Sequence, residues 1–379
     1  MYARLQKCPT RSFFLFGPRG TGKTAWLKAH LPDAIVFDLL RSEDFQRLSA
    51  APQRLAEAIP REFRGWVVID EVQRVPELLN EVHRLIEHRK LRFALTGSSA
   101  RALRRRGVNL LAGRARTLRM HPLAALELAS DFDLRRAVRF GTLPFACTTD
   151  DPDVYLRDYV ATYLREEVQQ EGLVRSLATF SRFLETASFS QGTPLNMAAV
   201  ARECAVTAKL AESHFVLLED LLLATRVPVF TRRARRRMTA HPKFYFFDCG
   251  VYRALRPRGP LDVDAEIDGP ALETLFLANV RAVNDALDLG YQIHYWRTGA
   301  GAEVDFVLYG ERGLLAFEVK RHARVRDDDV ASLAQFRDDY PEARTYFLHG
   351  GTERRHHDGT EIIPIGDALV ELDALLQGS

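Results

Sequence analysis

Residues 17 to 24 read Gly-Pro-Arg-Gly-Thr-Gly-Lys-Thr, a spacing that can hold phosphate groups. In such a loop the glycines let backbone N–H groups surround a phosphate, and the helix that follows adds the positive end of its dipole. Lys23 is expected to reach the β- and γ-phosphates of ATP, and Thr24 to offer its hydroxyl to Mg²⁺. The predicted loop residues are Gly17, Pro18, Arg19, Gly20, Thr21, Gly22, Lys23 and Thr24.

A second chemical motif is the pair of acids Asp70 and Glu71, which ends the apolar run Trp66 to Ile69. An unbroken apolar run is typical of a parallel strand that is buried on both faces. Asp70 is predicted to join Thr24 in the Mg²⁺ shell, and Glu71 to act as the general base for the attacking water. The alternative is that the two acids only cap the next helix. We expect these acids to meet Lys23 and Thr24 at the ends of adjacent strands.

Two further positions are candidates for reading the γ-phosphate. Thr96 and Ser98 follow the predicted strand Leu91 to Leu95 and could hydrogen-bond the phosphate or the water, although such residues also form simple turns. Arg114 is a candidate arginine finger, acting in its own chain or from a neighbouring subunit. The alternative for Arg114 is an ordinary solvated side chain.

The elements that must position these groups are a strand over Phe13 to Phe16 and a helix beginning at Lys23. The chain has 379 residues, which is too long for one ordinary core and predicts several domains. Hydrophobic residues make up 46% and the net charge is only +3, so any attraction to nucleic acid must be local. Four scattered cysteines predict no disulfide or zinc site and favour a cytoplasmic protein, and no apolar run approaches the ~18 residues of a membrane span.

The C-terminal region contains two predicted strands, 304–308 and 314–320, separated by the loop Gly310 to Gly313. Their antiparallel register pairs Asp305 with Glu318 and Glu303 with Lys320. These four then share one face, opposite an apolar face made of Val304, Phe306, Leu308, Leu315, Phe317 and Val319.

Directly opposed side chains lie ~5 Å apart, so Asp305 and Glu318 could share one divalent cation with Lys320 near a hydrolytic water. The alternative is a surface hairpin whose opposite charges neutralise each other as salt bridges. The sequence pattern leaves both open.

Residues ~195 to 230 predict two helices and a strand, an order that suits a winged helix-turn-helix. The wing would carry five arginines: Arg232, Arg233, Arg235, Arg236 and Arg237. Such a hairpin could neutralise DNA phosphates, contact a protein, or lie on solvated surface.

The chain resembles bacterial and archaeal ATPases of the AAA+ superfamily that carry a C-terminal domain of unknown function. The resemblance rests on the phosphate loop, on Ile69 to Gln73, on Leu95 to Ser99 and Ala112 to Arg114, and on the C-terminal runs Lys243 to Gly250, Leu272-Glu273, Glu303 to Phe306 and Glu318 to Lys320. It implies a PD-(D/E)xK nuclease-like C-terminal core in which Glu273 joins Asp305 and Glu318 as a metal ligand, with Lys320 catalytic. It also implies a homo-oligomer. The glycine pair of the family is Phe140-Gly141 here, and no second-sensor arginine is recognisable.

We therefore expect an α/β protein built on a P-loop NTPase parallel sheet. The predicted domains are an ATPase core (1–130), a helical lid-like segment (131–190), a winged-helix domain (191–250) and a nuclease-like α/β domain (251–379). The predicted ligands are ATP and Mg²⁺, with DNA as a candidate partner. The leading alternative is an ATP-dependent switch whose C-terminal domain recognises its target without cutting it.

Overall fold

A computed structural model describes residues 2–99, 103, 111–163, 176–232, 241–257, 259 and 263–378. Its contacts divide the chain into two compact units. The smaller unit consists of Gln6–His121 and Asp220–Leu222. The larger unit takes the described residues of 1–5, 122–219 and 223–379.

The smaller unit is built on a five-stranded sheet in the order β2-β3-β4-β1-β5, with every neighbouring pair parallel. Its strands are β1 (Phe13–Phe16), β2 (Ile35–Asp38), β3 (Trp66–Asp70), β4 (Arg92–Gly97) and β5 (Arg116–Arg119). The helices are α1 (Lys23–His30), α2 (Ser42–Ala50), α3 (Arg54–Glu57) and α4 (Leu78–Arg89). A 3-10 turn, Val72–Arg74, follows β3.

Both faces of this sheet are covered, which explains the unbroken apolar runs in the sequence. Within β1, Phe14 and Phe16 belong to one core cluster, while Phe13 and Leu15 belong to another that includes Trp26 of α1. The carboxyl ends of parallel strands meet at one edge, so the phosphate loop after β1 and the acids after β3 lie on the same side. They are not on adjacent strands as predicted, because β4 lies between β1 and β3.

The N-terminal part of the larger unit is helical. Its helices are α5 (Ala125–Leu128), α6 (Leu134–Phe140), α7 (Pro144–Thr148), α8 (Pro152–Asp158), α9 (Leu177–Ser188), α10 (Met197–Glu203) and α11 (Ala208–Asp220), with a π-helical turn over Tyr159–Tyr163. The antiparallel pair β6 (Ala224–Val227) and β7 (Lys243–Phe246) follows. Of the predicted arginine tract, only Arg232 is described, and it stacks on the ring of Tyr309 at 4.5 Å; the other four arginines lie outside the described residues.

The C-terminal part of the larger unit contains a six-stranded sheet in the order β12-β13-β11-β10-β9-β8. Its strands are β8 (Gln292–Arg297), β9 (Glu303–Gly310), β10 (Gly313–Val319), β11 (Arg344–His349), β12 (Arg355–His357) and β13 (Thr360–Pro364). The accompanying helices are α12 (Cys249–Leu255), α13 (Asp264–Ala286), α14 (Ala331–Asp339), α15 (Ile365–Val370) and α16 (Leu372–Gln377). Strands β10, β11 and β13 are parallel, so their carboxyl ends share one edge.

The hairpin β9–β10 has the predicted register, with Phe306 opposite Phe317 and Gly310 opposite Gly313. The turn is therefore shorter than predicted, only Glu311-Arg312. The prediction that six apolar residues of the hairpin share one face is wrong for Val304. A bulge shifts the register between β8 and β9, and Val304 packs in the cluster of Leu333 and Phe336 from α14. Phe306 instead contacts Phe276 of α13, with ring centroids 5.4 Å apart.

Candidate functional site: the phosphate loop and the acidic strand end

The loop between β1 and α1 has the backbone that its glycines predict. Gly20 and Gly22 have φ of 83° and 90°, a region that disfavours side chains with a Cβ. A Cβ on Gly17 would lie 2.3 Å from the carbonyl oxygen of Met120, so only glycine allows the loop to pass the end of β5. The helix begins at Lys23 as predicted.

Lys23 folds back over this loop. Its Nζ donates to the carbonyl oxygens of Gly17 at 2.7 Å and Pro18 at 3.2 Å, and the side chain is largely buried. Thr21 Oγ1 donates to the Pro18 carbonyl at 2.8 Å, which ties the loop to itself. Thr24, by contrast, is exposed at the start of α1. The lysine is thus held at the loop, beside the helix N-terminus where a phosphate would bind.

Asp70 connects the end of β3 to the start of α1 and to the end of β4. Its Oδ2 accepts a hydrogen bond from Thr24 Oγ1 at 3.0 Å, and its Oδ1 accepts one from Thr96 Oγ1 at the end of β4. Thr96 Oγ1 also accepts from the Glu71 backbone N–H at 3.4 Å. Thr96 therefore contacts both acids here, whereas the sequence predicted a contact with phosphate or water.

Glu71 is held by a residue that sequence reasoning missed. Gln73 Nε2 donates to Glu71 Oε2 and to Ser98 Oγ, the latter at 3.2 Å. Glu71 itself has φ of 60°, a left-handed conformation that is uncommon for a residue other than glycine. A Cβ on Gly97 would lie 2.3 Å from Gln73 Oε1, so the glycine makes room for this amide. The only sequence signal for Gln73 was its place in the run Ile69 to Gln73.

Arg114 lies away from these groups within its own chain. It precedes β5, and Arg116 at the start of that strand bonds to Ser12 just before β1, so Arg114 belongs to the amino edge of the sheet. There its Nε pairs with Glu87 near the end of α4. This pair holds the pKa of Glu87 below its ordinary value. The phosphate loop occupies the opposite, carboxyl edge.

The site residues at the carboxyl edge suit a nucleotide and Mg²⁺. Thr24 and Asp70 offer oxygen atoms 3.0 Å apart, and Mg²⁺ prefers oxygen ligands. Loop N–H groups and Lys23 supply positive charge for phosphates. A carboxylate, Glu71, stands beside them without contact to an ammonium group among the described residues.

Candidate functional site: the buried acid and lysine cluster

A second group of acids and lysines lies inside the larger unit, and a residue of β7 is at its centre. Lys243 Nζ lies 3.1 Å from Asp305 Oδ1 and also pairs with Glu303, while its side chain is only 1% exposed. Lys320 Nζ lies 3.3 Å from Asp305 Oδ2 and also contacts Glu318. Each carboxylate oxygen of Asp305 therefore faces an ammonium group.

The remaining acids of the cluster, Glu273 and Glu318, have raised pKa values. Glu273 on α13 accepts a hydrogen bond from the Tyr245 hydroxyl at 2.7 Å, and burial together with the charge of Asp305 raises the pKa of Glu273 to about 7. The same two causes raise the pKa of Glu318 to about 8. Burial alone would raise the pKa of Asp305 too, but Lys243 and Lys320 outweigh it and hold that pKa below its ordinary value.

The structure thus brings together the predicted metal ligands Glu273, Asp305 and Glu318, with the predicted catalytic Lys320 beside them. Among the described residues, however, no group of three or more acidic, histidine or cysteine side chains is arranged to hold a metal ion. The observed arrangement does not fit a cation at Asp305, because two ammonium groups already satisfy its oxygens. A metal at this cluster stays a prediction that these contacts do not favour.

Lys243 was missed as a member of this cluster because it lies 62 residues from Asp305 in the chain. The available signal was its rarity: the chain has seven lysines, and this one opens the run Lys243 to Gly250. The other end of that run is structural. Asp248 accepts N–H groups from Thr142 and Val251, and a Cβ on Gly250 would lie 2.2 Å from the Phe140 carbonyl oxygen.

Comparisons with protein families give three matches along the chain. Residues 9–129 match the family model described as an AAA domain, and residues 131–263 and 268–368 each match a different domain of unknown function. The first match supports an AAA-type ATPase domain. The parallel five-stranded sheet of the AAA domain fits a P-loop NTPase core, and such a domain indicates ATP binding.

No curated protein matches the chain. In the part of the chain that the structure describes, none of the helices has the length and apolarity needed to cross a bilayer.

Proposed function

We propose that the protein is a Mg²⁺-dependent ATPase whose AAA domain drives a C-terminal recognition domain. The observation that carries the proposal is the hydrogen bond between Thr24 and Asp70. It joins the phosphate-loop helix to the acidic end of β3 across the edge of the sheet.

Each residue has a role in this proposal. Lys23 and the loop N–H groups bind the phosphates, with Gly17, Gly20 and Gly22 allowing the close approach. Thr24 and Asp70 would hold Mg²⁺, which neutralises charge on the phosphate oxygens when bound. Glu71 accepts the proton of the attacking water. Thr96 orients both acids, and Gln73 with Ser98 positions Glu71.

The test separates binding from turnover. Lys23→Ala is expected to abolish ATP binding measured by calorimetry, because it removes the charge that faces the β- and γ-phosphates. Glu71→Gln is expected to bind ATP normally and lose turnover by about 100-fold or more. Lys28→Ala, an exposed lysine on the same helix, is the matched control and should behave as wild type. Wild-type turnover in Glu71→Gln would remove its assignment as the base.

We further propose that Arg114 acts on the nucleotide of a neighbouring copy, so that the ATPase is a homo-oligomer. Its position at the amino edge favours this, since the site of its own chain lies at the carboxyl edge. Arg114→Ala and Glu71→Gln should each be inactive alone. Mixed together they should recover part of the activity, because some interfaces would combine an intact Glu71 with an intact Arg114. No recovery on mixing would contradict an action between subunits.

For the larger unit we propose a nuclease-like α/β fold that recognises a target, with DNA as the candidate, without cutting it. The order α13, β8, β9, β10 with Glu273, Asp305, Glu318 and Lys320 supports the PD-(D/E)xK resemblance, and the burial of Lys243 between acids supports the loss of metal chemistry. We call the site of Lys23, Thr24, Asp70 and Glu71 the AAA site. Calorimetry of the full chain with Mn²⁺, with the metal ligand of the AAA site removed by Asp70→Asn, should then detect no binding. Mn²⁺ binding that disappears in Asp305→Ala would instead favour the alternative, a metal-dependent nuclease.

DNA contact is proposed for the winged-helix elements α10, α11, β6 and β7 and the arginine tract that follows β6. Neutralising phosphates with arginine makes affinity fall steeply with salt. Replacing the five arginines of the tract by glutamine should flatten that dependence for a short duplex. An unchanged salt slope would exclude the tract from the interface.

A further inference from the structure

A cavity of about 610 Å³ opens in the larger unit at the carboxyl edge of the six-stranded sheet. Three of its lining residues come just after parallel strands: Arg321 after β10, Gly350 after β11 and Ile365 after β13. In open α/β sheets, the crevice beyond the carboxyl ends of the strands is where ligands usually bind. The volume is in the range of small-molecule sites, roughly 300–1,000 Å³.

The charged lining of this cavity is strongly one-sided. One acid, Asp268, lines the cavity together with four arginines: Arg135, Arg139, Arg253 and Arg321. No described carboxylate contacts Arg135. The exposed Asp153 lies 3.8 Å from Arg139, whose guanidinium also lies 4.9 Å from the ring centre of Phe140. The guanidinium fork suits the oxygens of a phosphate.

Two of these arginines are held in place before any ligand arrives. Asp268 accepts from Arg253 at 2.6 Å and from Arg321 at 3.3 Å, so one carboxylate orients two guanidinium groups. The Arg253 side chain is only 10% exposed, and its Nε is buried without a hydrogen-bond partner among the described residues. A Cβ on Gly350 would lie 2.1 Å from the Arg321 carbonyl oxygen, so glycine is needed where the two strand ends approach.

The cavity also has an apolar part. Leu134 and Val138 lie one turn apart on α6, on the side that also carries Arg135 and Arg139. Leu272 of α13 and Ile365 complete it, and both are buried. A ligand that used the whole cavity would combine anionic oxygens with an apolar or planar group.

We propose that this cavity binds a phosphomonoester that carries an apolar or planar group, of about mononucleotide size. The phosphate contacts the arginines, and the organic group contacts Leu134, Val138, Leu272 and Ile365. This site is distinct from the AAA site, and the proposal does not depend on ATP hydrolysis. The phosphomonoester could belong to a free nucleotide or to the 5′ end of a nucleic-acid strand.

The experiment uses the full chain with Lys23→Ala, so that the AAA site contributes little binding. Calorimetry compares three probes: uridine 5′-monophosphate, a 5′-phosphorylated trinucleotide and inorganic phosphate. At least one of the first two is expected to bind more tightly than inorganic phosphate. Tighter binding of the mononucleotide indicates a free ligand, and tighter binding of the trinucleotide indicates a strand end.

Adding Arg135→Gln and Arg321→Gln should weaken the binding about tenfold or more, since each removes charge-assisted hydrogen bonds. Both arginines are exposed, so folding should be retained, which circular dichroism checks. Arg312→Gln, an exposed arginine in the β9–β10 turn, is the control and should bind as the parent does. The proposal is overturned if the double variant and the control bind the preferred probe with equal affinity. It is also overturned if the folded parent protein prefers inorganic phosphate or binds none of the three probes.

Discussion

The AAA site and the C-terminal cluster both contain lysine and buried aspartate, but their lysines contact different groups. Lys23 donates hydrogen bonds to carbonyl oxygens of the loop, and Asp70 accepts hydrogen bonds from the hydroxyl groups of Thr24 and Thr96. In the C-terminal cluster, Lys243 and Lys320 contact Asp305 directly. The first arrangement leaves charges available to a ligand, whereas the second neutralises them inside the fold. Similar residue types thus indicate chemistry in one region and internal ion pairing in the other.

The largest expected effect tests whether Lys243 is part of the fold. Lys243→Met should lower the free energy of unfolding by about 3–5 kcal/mol, because Asp305 would keep a buried charge with one partner removed. Lys23→Met should change it by less than about 1 kcal/mol, because the hydrogen bonds of that lysine to Gly17 and Pro18 go to neutral carbonyl oxygens. Urea unfolding of both variants gives the comparison.

Adding Asp305→Asn to Lys243→Met should recover part of the lost stability, since the buried carboxylate that lost one of its two partners is then neutral. A Lys243→Met variant as stable as wild type would show that the buried ion pair contributes nothing, and the contrast between the two regions would fail.

The next effect compares the two aspartates on ATP turnover. Asp70→Asn should reduce kcat/KM by about 100-fold or more, because it weakens the Mg²⁺ shell. Asp305→Asn should leave turnover within about twofold, provided the variant is folded. Equal losses in the two variants would mean that the C-terminal cluster takes part in hydrolysis.

Asp248, an acid outside both sites, gives a pH test. Burial raises the pKa of its carboxyl to about 6 against the opposing effect of backbone N–H groups, so the folded state keeps a proton that the unfolded state releases. The contribution of Asp248 to the free energy of unfolding is therefore fully present below its unfolded pKa. It falls by about 2–3 kcal/mol as the pH rises through about 6.

Asp248→Asn cannot ionise, so its stability should lack this fall between pH 4 and pH 6.5. Urea unfolding at each pH measures the slope, which is separate from any constant offset caused by the amide. Parallel pH profiles for the variant and the wild type would rule out the raised pKa.

The smallest effect concerns Gln73. Gln73→Ala should lower kcat by about tenfold with little change in KM, because Glu71 loses the amide that positions it. Gln73→Glu should be at least as slow, since it places a like charge beside the base. If Gln73→Ala raises kcat, the amide restrains Glu71 rather than orienting it for catalysis.

The sequence by itself determined the elements whose signals are local. The phosphate loop, the start of α1 at Lys23 and the buried strand before Asp70 all follow from short runs of residues, because glycine conformation and continuous burial are properties of neighbouring positions. The register of β9 and β10 was also predictable. Within that hairpin, shifting the pairing by one residue would disrupt the charged face and the apolar face together.

Only the tertiary structure decided which distant residues share a site. It inserted β4 between the strand before the phosphate loop and the strand that ends at Asp70, brought Gln73 to Glu71, and placed Arg114 at the other edge of the sheet. It also carried Lys243 from β7 into the acids of β9, which no spacing within the hairpin could indicate. A local sequence pattern indicates which chemistry a carboxylate could support. Whether an ammonium group from elsewhere neutralises it depends on packing between elements far apart in the chain.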